Sequence, residues 1–178
     1  MLRNVVIMMA LSLVAIGFAM MLYRHPLAFS GANPSAMIET DKNGIPAPMF
    51  TFRTIEDKDY SLDDFRGKSV LVHFFASWCA PCVREFPELV AMLRDNPDSV
   101  VMIAVSSDNE AEDLSVFLDR YAPDLPKNAY IVRDDRPKSI TQGLFGTYRL
   151  PETYILNPDL TIREKIVGAY ADWEGLDF

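Results

Sequence analysis

Short apolar runs alternate with amphipathic segments along most of the chain after residue 48. Continuous hydrophobic runs predict buried strands at residues 70–75 and 100–105. Apolar residues spaced three and four apart predict a helix over 110–121, and another helix is predicted over 81–94, between the two strands. This order of strand, helix, strand and helix predicts a parallel β-α-β core.

Shorter runs predict further elements on either side of this core. They are a small hairpin formed by residues 49–55 and 60–62, strands at 129–132, 153–156 and 162–167, and a short helix at 137–145. The turn-forming residues Asn157-Pro158-Asp159 join the last two strands, which predicts that these strands pair antiparallel. The sequence therefore predicts an α/β domain with a mixed sheet, flanking helices and an N-terminal hairpin extension.

The first 24 residues have a different pattern. Residues 4–23 lie between two arginines and are almost entirely apolar, long enough as a helix to cross about 30 Å of hydrocarbon. A cleaved secretory signal with a small-residue site at Ser30-Gly31-Ala32 is the alternative. The apolar run, however, is longer than the roughly 7–15 residues typical of such signals. We expect residues 1–24 to form one uncleaved transmembrane helix, an N-terminal membrane anchor.

The rest of the chain divides into a linker and one domain. Residues 25–48 are rich in Pro, Gly, Asn and Ser and lack apolar periodicity, which predicts a linker. Residues 49–178 are enough for one domain with its own core. Without the two arginines of residues 1–24, 15 of the 17 basic residues remain against 25 acidic ones, a formal charge of −10. We therefore expect no nucleic acid partner.

Both cysteines lie in one stretch, Trp78-Cys79-Ala80-Pro81-Cys82, directly after the first predicted core strand. At the start of a helix such a pair can close a small disulfide ring, and the free amide groups of the helix terminus stabilise a thiolate on the first sulfur. Cys79 is therefore the expected nucleophile and Cys82 the resolving thiol. Pro81 fits the first helical turn, where its missing N–H costs no hydrogen bond. The pattern indicates thiol–disulfide exchange.

Three other uses of the cysteine pair stay open at this point. A structural zinc site needs about four ligands, and only His25 and His73 supply imidazoles. A purely structural disulfide is possible in an oxidising compartment, although so short a loop removes little entropy from the unfolded state. A copper-delivery protein could use both thiolates, but no third soft or imidazole ligand is evident.

Five segments stand in an order and spacing typical of one protein family. They are APMF (47–50), SLDDFRGK (61–68), FFASWCAPC (74–82), EFPEL (85–89) and LPETYIL (150–156). In these segments the chain resembles membrane-anchored thioredoxin-fold proteins of the TlpA/ResA type, the group that includes the reductases of cytochrome c maturation. The resemblance covers roughly residues 45–170 and implies a thioredoxin fold.

The resemblance also implies roles for individual residues. Cys79 and Cys82 match the redox pair, and Pro151 matches the proline that faces this pair through a cis peptide bond. Leu150 precedes it and is expected to present its backbone to an incoming substrate strand. The expected substrate-binding residues are Trp78, Pro81, Leu150 and Pro151.

Two ionisable residues near the cysteines are further candidates. Glu85 lies one helical turn after Cys82 and resembles the active-site glutamate of some ResA-type proteins, where a carboxylate can accept the proton of the resolving thiol. A solvated surface charge is the alternative for Glu85. His73 stands where thioredoxins carry a buried acid, so it could shuttle protons to Cys82 or simply satisfy hydrogen bonds inside the sheet. We expect the structural role for His73.

The end of the chain departs from the family. After Val167-Gly168 the family usually adds a terminal helix, whereas this chain ends at Phe178 with room for a short turn near Asp172. Either Trp173 and Phe178 close the core, or the sequence is truncated.

The expected activity is that of a thiol–disulfide oxidoreductase, working as a reductase of disulfides in exported proteins. Apocytochrome c is the candidate substrate, and a membrane thiol protein is the expected electron donor. Disulfides persist outside the cytoplasm, so we expect the domain on the periplasmic or outer face of a bacterial cytoplasmic membrane. No metal is expected, and no cofactor beyond the redox-active disulfide Cys79-Cys82. A copper metallochaperone and a thiol peroxidase are the alternatives from other classes.

Overall fold

Eight strands and two α-helices form within the part of the chain that the computed structural model describes, residues 37–39, 44–135 and 138–176. The strands are β1 (Met37–Glu39), β2 (Thr51–Arg53), β3 (Asp59–Ser61), β4 (Ser69–Phe75), β5 (Val100–Ser106), β6 (Ala129–Arg133), β7 (Glu152–Leu156) and β8 (Ile162–Val167). The helices are α1 (Ala80–Asp95) and α2 (Ala111–Tyr121).

Six of the strands form one mixed sheet in the order β1-β8-β7-β4-β5-β6. β4 pairs parallel with β5 and β5 with β6, while β7 pairs antiparallel with β4 and with β8. Every residue of β4 and β5 is buried, as their continuous apolar runs predict for strands covered on both faces. The predicted β-α-β core and the antiparallel pairing of the last two strands are confirmed.

The sheet is covered by different elements on its two faces. Alternate residues of β4 point to opposite sides, so Leu71 and Phe75 pack with α1 and α2, whereas Val70, Val72 and Phe74 pack on the other side. That second side is closed by the antiparallel β2–β3 hairpin and by the 3₁₀ turn Leu62–Phe65. The predicted hairpin extension is therefore confirmed.

The segment predicted as a short helix is a π-helix, Ser139–Leu144. Gly143 N donates to Lys138 O at 3.3 Å and Phe145 N donates to Ile140 O at 3.1 Å, the wide i to i+5 spacing. The buried Asp134 carboxylate accepts from the backbone N–H of Thr141 at 2.7 Å, which satisfies a donor at the beginning of the segment.

The predicted linker is too long at its C-terminal end. Met37–Glu39, inside the range 25–48, pairs antiparallel with β8, and Pro46 forms a bridge to Thr161. Ala47 is buried in the core. The open edge of β8 needs hydrogen-bond partners, and a strand of three residues satisfies it without showing any hydrophobic period in the sequence. The domain thus includes residues before 49.

No helix within residues 37–39, 44–135 and 138–176 is both long and apolar enough to cross a membrane. The anchor predicted for residues 1–24 lies outside the described residues.

The last described segment packs against α1. Trp173 begins a 3₁₀ turn, Trp173–Gly175, directly after Asp172, and its side chain is buried in the core with Tyr170 in edge-to-face contact at 5.1 Å. Trp173 is thus part of the core, as one of the two alternatives for the end of the chain required, while Phe178 lies outside the described residues.

Candidate active site

The two cysteines form a disulfide at the N-terminus of α1, immediately beyond the end of β4. The S–S distance is 2.04 Å and the Cα atoms are 5.2 Å apart. Cys79 is the N-cap residue, and its Sγ accepts from the backbone N–H of Cys82 at 3.3 Å. The sulfur of Cys79 therefore already lies where the unpaired amide groups of the helix would stabilise a thiolate. Pro81 occupies the first turn of α1, as expected.

The two sulfurs differ in their access to substrate. Cys79 lines an open groove of about 550 Å³, whereas Cys82 is completely buried on the inner face of α1. An incoming disulfide can therefore reach Cys79 but not Cys82. This difference supports the predicted order of attack and resolution.

The groove brings together three of the four predicted substrate-binding residues with Cys79. Trp78, Pro81 and Leu150 line it, and Trp78 is 70% exposed, which excludes a core role for its indole. The peptide bond between Leu150 and Pro151 is cis, as expected, although Pro151 itself is buried and does not line the groove.

Sequence reasoning missed the remaining side of this groove. Its further lining residues are Ser107, Asn109, Lys138, Thr141, Gln142, Thr147 and Tyr148. Ser107 and Asn109 follow β5 directly, and the carboxyl ends of parallel strands are where α/β sheets bind ligands, so a signal for these two existed. The others come from the π-helix and the loops beside it, far along the chain, and the sequence pattern holds no signal that places them at this groove.

Glu85 is buried, contrary to the solvated alternative. Desolvation raises the pKa of its carboxyl to about 8, although its Oε1 accepts from the backbone N–H of Tyr170 at 3.3 Å. Its Oε2 has no hydrogen-bond partner, and the nearby indole N–H of Trp173 does not form a well-aligned bond. Glu85 therefore places a protonatable carboxyl one turn from Cys82 on the buried face of α1.

His73 lies inside the core below the cysteines. Its Nδ1 shares a hydrogen bond with Thr153 Oγ1 at 2.9 Å, and its ring stacks on Phe75 at 5.8 Å. Complete burial lowers the pKa of the imidazole from 6.5 to about 3, so the ring is neutral at physiological pH. A base this weak is a poor proton acceptor for a thiol, which favours the structural role.

Known proteins with similar sequences support both the fold and the thiol–disulfide chemistry of the site. The AhpC/TSA family matches residues 44–165, well over half of the chain. The chain belongs to this family. It is similar to the thioredoxin-like protein YneN of Bacillus subtilis, with 30% identity over 71% of this chain and 72% of that protein. It is equally similar, at 30% identity over 70% and 69% of the two chains, to the thiol-disulfide oxidoreductase ResA of Bacillus thuringiensis.

A solved structure supports the same assignment. A Chlorobium tepidum protein described as a DsbE-type thiol:disulfide interchange protein superimposes with a TM-score of 0.63 at 25% identity, over 76% of this chain and 91% of that one. The protein is thus a thioredoxin-fold thiol–disulfide oxidoreductase of the TlpA/ResA type. In this oxidoreductase the roles of Cys79 and Cys82 rest on the geometry described above.

The burial of His73 makes the oxidoreductase sensitive to acid. In the unfolded chain the imidazole takes up a proton near its ordinary pKa of 6.5, whereas the folded protein resists protonation down to about pH 3. The stabilising effect is complete above pH 6.5 and is lost as the pH falls through 3, with a total of about 5 kcal/mol. We expect His73→Asn to lack this part of the acid dependence. Denaturant unfolding of the oxidised protein at a series of pH values would show it, and parallel acid limbs in the two proteins would contradict the expectation.

Proposed function

We propose that this oxidoreductase works as a reductase of disulfides in exported proteins, with apocytochrome c in cytochrome c maturation as its candidate substrate. In this proposal residues 1–24 hold the domain on the periplasmic or outer face of a bacterial cytoplasmic membrane, where disulfides form and persist. The observation that carries the reaction is the position of Cys79 Sγ, on a helix N-terminus and in an open groove beside Leu150.

The reaction follows from the unequal environments of the two sulfurs. The Cys79 thiolate attacks a substrate disulfide, forms a mixed disulfide and releases one substrate sulfur, which takes up a proton. Cys82 then loses its proton and attacks Cys79 Sγ, so the second substrate sulfur leaves as a thiolate and takes up a proton. The substrate has gained two electrons and two protons, and the protein holds the disulfide Cys79–Cys82. A thiol protein of the membrane would return the two electrons.

Glu85 is the proposed acceptor of the proton from Cys82. An ordinary cysteine thiol has a pKa of about 8.5. Burial raises the pKa of Glu85 to about 8, so about a tenth of the molecules hold it as a carboxylate at pH 7, and in these the proton would pass between groups of nearly equal affinity. A carboxyl at its usual pKa would be far too weak a base for this step.

The assignment to apocytochrome c draws on Pro151-Glu152-Thr153, a run that resembles the branch acting on that substrate. Glu152 is buried, accepts a short hydrogen bond from Thr147 Oγ1, and lies 3.7 Å from Lys165 Nζ. Thr147 lines the groove, so Glu152 connects the segment after Leu150 to the surface that a substrate would contact. The acidic protein as a whole favours a basic partner surface.

The direction of electron flow is tested by the reduction potential of the pair. We expect a value near or below about −250 mV, close to that of thioredoxin, because a reductase must hold its disulfide more stably than its substrate does. The full chain is equilibrated with dithiol buffers and read by the fluorescence of the exposed Trp78, with mass spectrometry of alkylated thiols as an independent measure. A value near about −120 mV, typical of a strong oxidant, would contradict the reductase assignment.

The substrate is tested separately with oxidised peptides. A peptide with a Cys-x-x-Cys-His segment, the haem-attachment pattern of c-type cytochromes, should be reduced several-fold faster than a peptide of the same composition with the cysteines spaced differently. Equal rates would show that the protein has no preference for the haem-attachment pattern, which would contradict apocytochrome c as its substrate. Tight copper binding by both thiolates, without any turnover of peptide, would instead support the metallochaperone alternative.

A further inference from the structure

Asp108 is a buried carboxylate that neither the redox chemistry nor the proposed proton transfer uses. It follows β5 directly and is only 1% exposed. Its Oδ1 and Oδ2 accept from the backbone N–H of Ser77 at 3.1 and 3.0 Å, and Oδ1 also accepts from Ser77 Oγ at 2.8 Å. Ser106 Oγ donates to Oδ2 at 2.7 Å. Both oxygens are therefore satisfied, which a buried charge requires.

Ser77 belongs to the turn that leads from β4 into α1. Cys79 N donates to Ala76 O at 3.1 Å across this turn, so the position of Cys79 depends on residues 76–78. The preceding strand is also tied to the segment of Asp108, since Ser107 N donates to Phe75 O at 2.9 Å. The carboxylate thus joins the end of β5 to the residues just before the nucleophilic sulfur.

The need for this connection arises when the disulfide opens. In the oxidised protein the bond to Cys82 holds Cys79 at the helix terminus. In the dithiol form that bond is gone, and the stabilisation of a thiolate by helix amide groups falls off within one turn. The turn 76–78 then keeps Cys79 in place together with one helical hydrogen bond, from Val83 N to Cys79 O at 3.1 Å.

We propose that Asp108 is a positioning residue of the redox site: through Ser77 its carboxylate keeps Cys79 Sγ on the N-terminus of α1 when the disulfide is open. The inference deepens the exchange activity but does not depend on the direction of electron flow or on the substrate. Nor does it require Asp108 to touch a reacting atom.

Positioning and charge have opposite consequences, so experiment can separate them. If Asp108 acts by holding the turn, its loss moves Cys79 away from the helix amides and raises the pKa of the thiol. If its negative charge were the main influence, its loss would lower that pKa instead. The other ionisable groups around the site are Lys138 and Tyr148 in the groove, with Glu85 and His73 below the cysteines. All four are the same in each variant below.

The test is the pH profile of Cys79 alkylation by iodoacetamide in the fully reduced full-length protein. Asp108→Asn keeps the shape but leaves one acceptor oxygen, and we expect its profile to lie about one pH unit higher, with alkylation at neutral pH about three- to tenfold slower. Ser77→Ala keeps the backbone donor and loses only the hydroxyl bond. Its profile should shift in the same direction by a smaller amount, about twofold in rate.

Asn128→Ala is the matched control for a loss of stability alone. The side-chain amide of Asn128 is buried and donates to Leu93 O at 3.0 Å and to Val100 O at 2.8 Å. Leu93 lies in the last turn of α1 and Val100 is the first residue of β5, so these bonds are at the opposite ends of both elements from Cys79 and Asp108. This variant should unfold more easily but alkylate like the native protein. An unshifted or lowered profile in Asp108→Asn would overturn the proposal. Should Asp108→Asn not fold, an unshifted profile in Ser77→Ala would overturn it too.

Discussion

Replacing Cys79 by serine should reduce thiol–disulfide exchange by about 10³-fold or more, because it removes the nucleophile itself. Cys82→Ser should instead form a mixed disulfide with substrate through Cys79 and stop there, since no second thiol remains to resolve it. Cys79 lines the groove and Cys82 is completely buried. We therefore expect only the variant that keeps Cys79 to form the mixed disulfide.

The two serine variants are matched controls for each other. Both lack the disulfide between residues 79 and 82, so any change in stability that the bond causes is common to them. Mass spectrometry after incubation with a disulfide peptide, under non-reducing conditions, measures the trapped species. Trapping by Cys79→Ser through Cys82, at a rate similar to that of Cys82→Ser, would show that the assigned order of attack is wrong.

Raising the pH should destabilise the oxidised protein through Glu85. In the unfolded chain this carboxyl ionises near its ordinary pKa of 4.5, whereas in the folded protein it stays protonated up to about pH 8. Between these values the folded state binds more protons, so its stability falls as the pH rises. The contribution is fully present below pH 4.5 and is lost as the pH rises through 8, with a total of about 5 kcal/mol.

Glu85→Gln removes the titration and keeps the shape of the side chain, so its stability should stay nearly level between pH 6.5 and 8.5, a range in which the native protein loses stability and His73 is neutral in both states. Glu112→Gln is the matched control, because Glu112 is exposed on α2 and is not among the charges that act on Glu85. The measurement is urea unfolding of the oxidised proteins, in which no free thiol titrates. Equal pH dependence in the native protein and Glu85→Gln would show that the carboxyl ionises normally in the core.

The two buried ionisable groups together define where the protein is most stable. His73 lowers stability as the pH falls below 6.5, and Glu85 lowers it as the pH rises above 4.5. From His73 and Glu85 together, maximum stability is expected between pH 4.5 and 6.5. At neutral pH the protein is less stable than at this maximum because of Glu85, whose carboxyl can exchange a proton near Cys82.

Regular elements with strong patterns were predictable. The buried strands β4 and β5 and the helix α2 lie within one residue of the positions that the sequence predicts. The strand β1 was not predictable, because three residues carry too little pattern and gain their hydrogen bonds only from the distant β8.

The sequence by itself determined the β-α-β core and the pair Cys79 and Cys82, since residues close together along the chain specify both. The cis peptide before Pro151 also followed from the resemblance of a short segment. Local patterns of this kind depend on backbone geometry over a few residues and need no knowledge of distant partners.

Only the tertiary structure decided which residues surround that pair. Asp108 meets Ser77 from 31 positions away, and the backbone of Tyr170 meets Glu85 from 85 positions away. The same long-range packing removes water from Glu85 and His73 and shifts their pKa values in opposite directions. Burial and hydrogen bonding are properties of the assembled core, so the chemistry of these groups is set by contacts that a linear pattern does not contain.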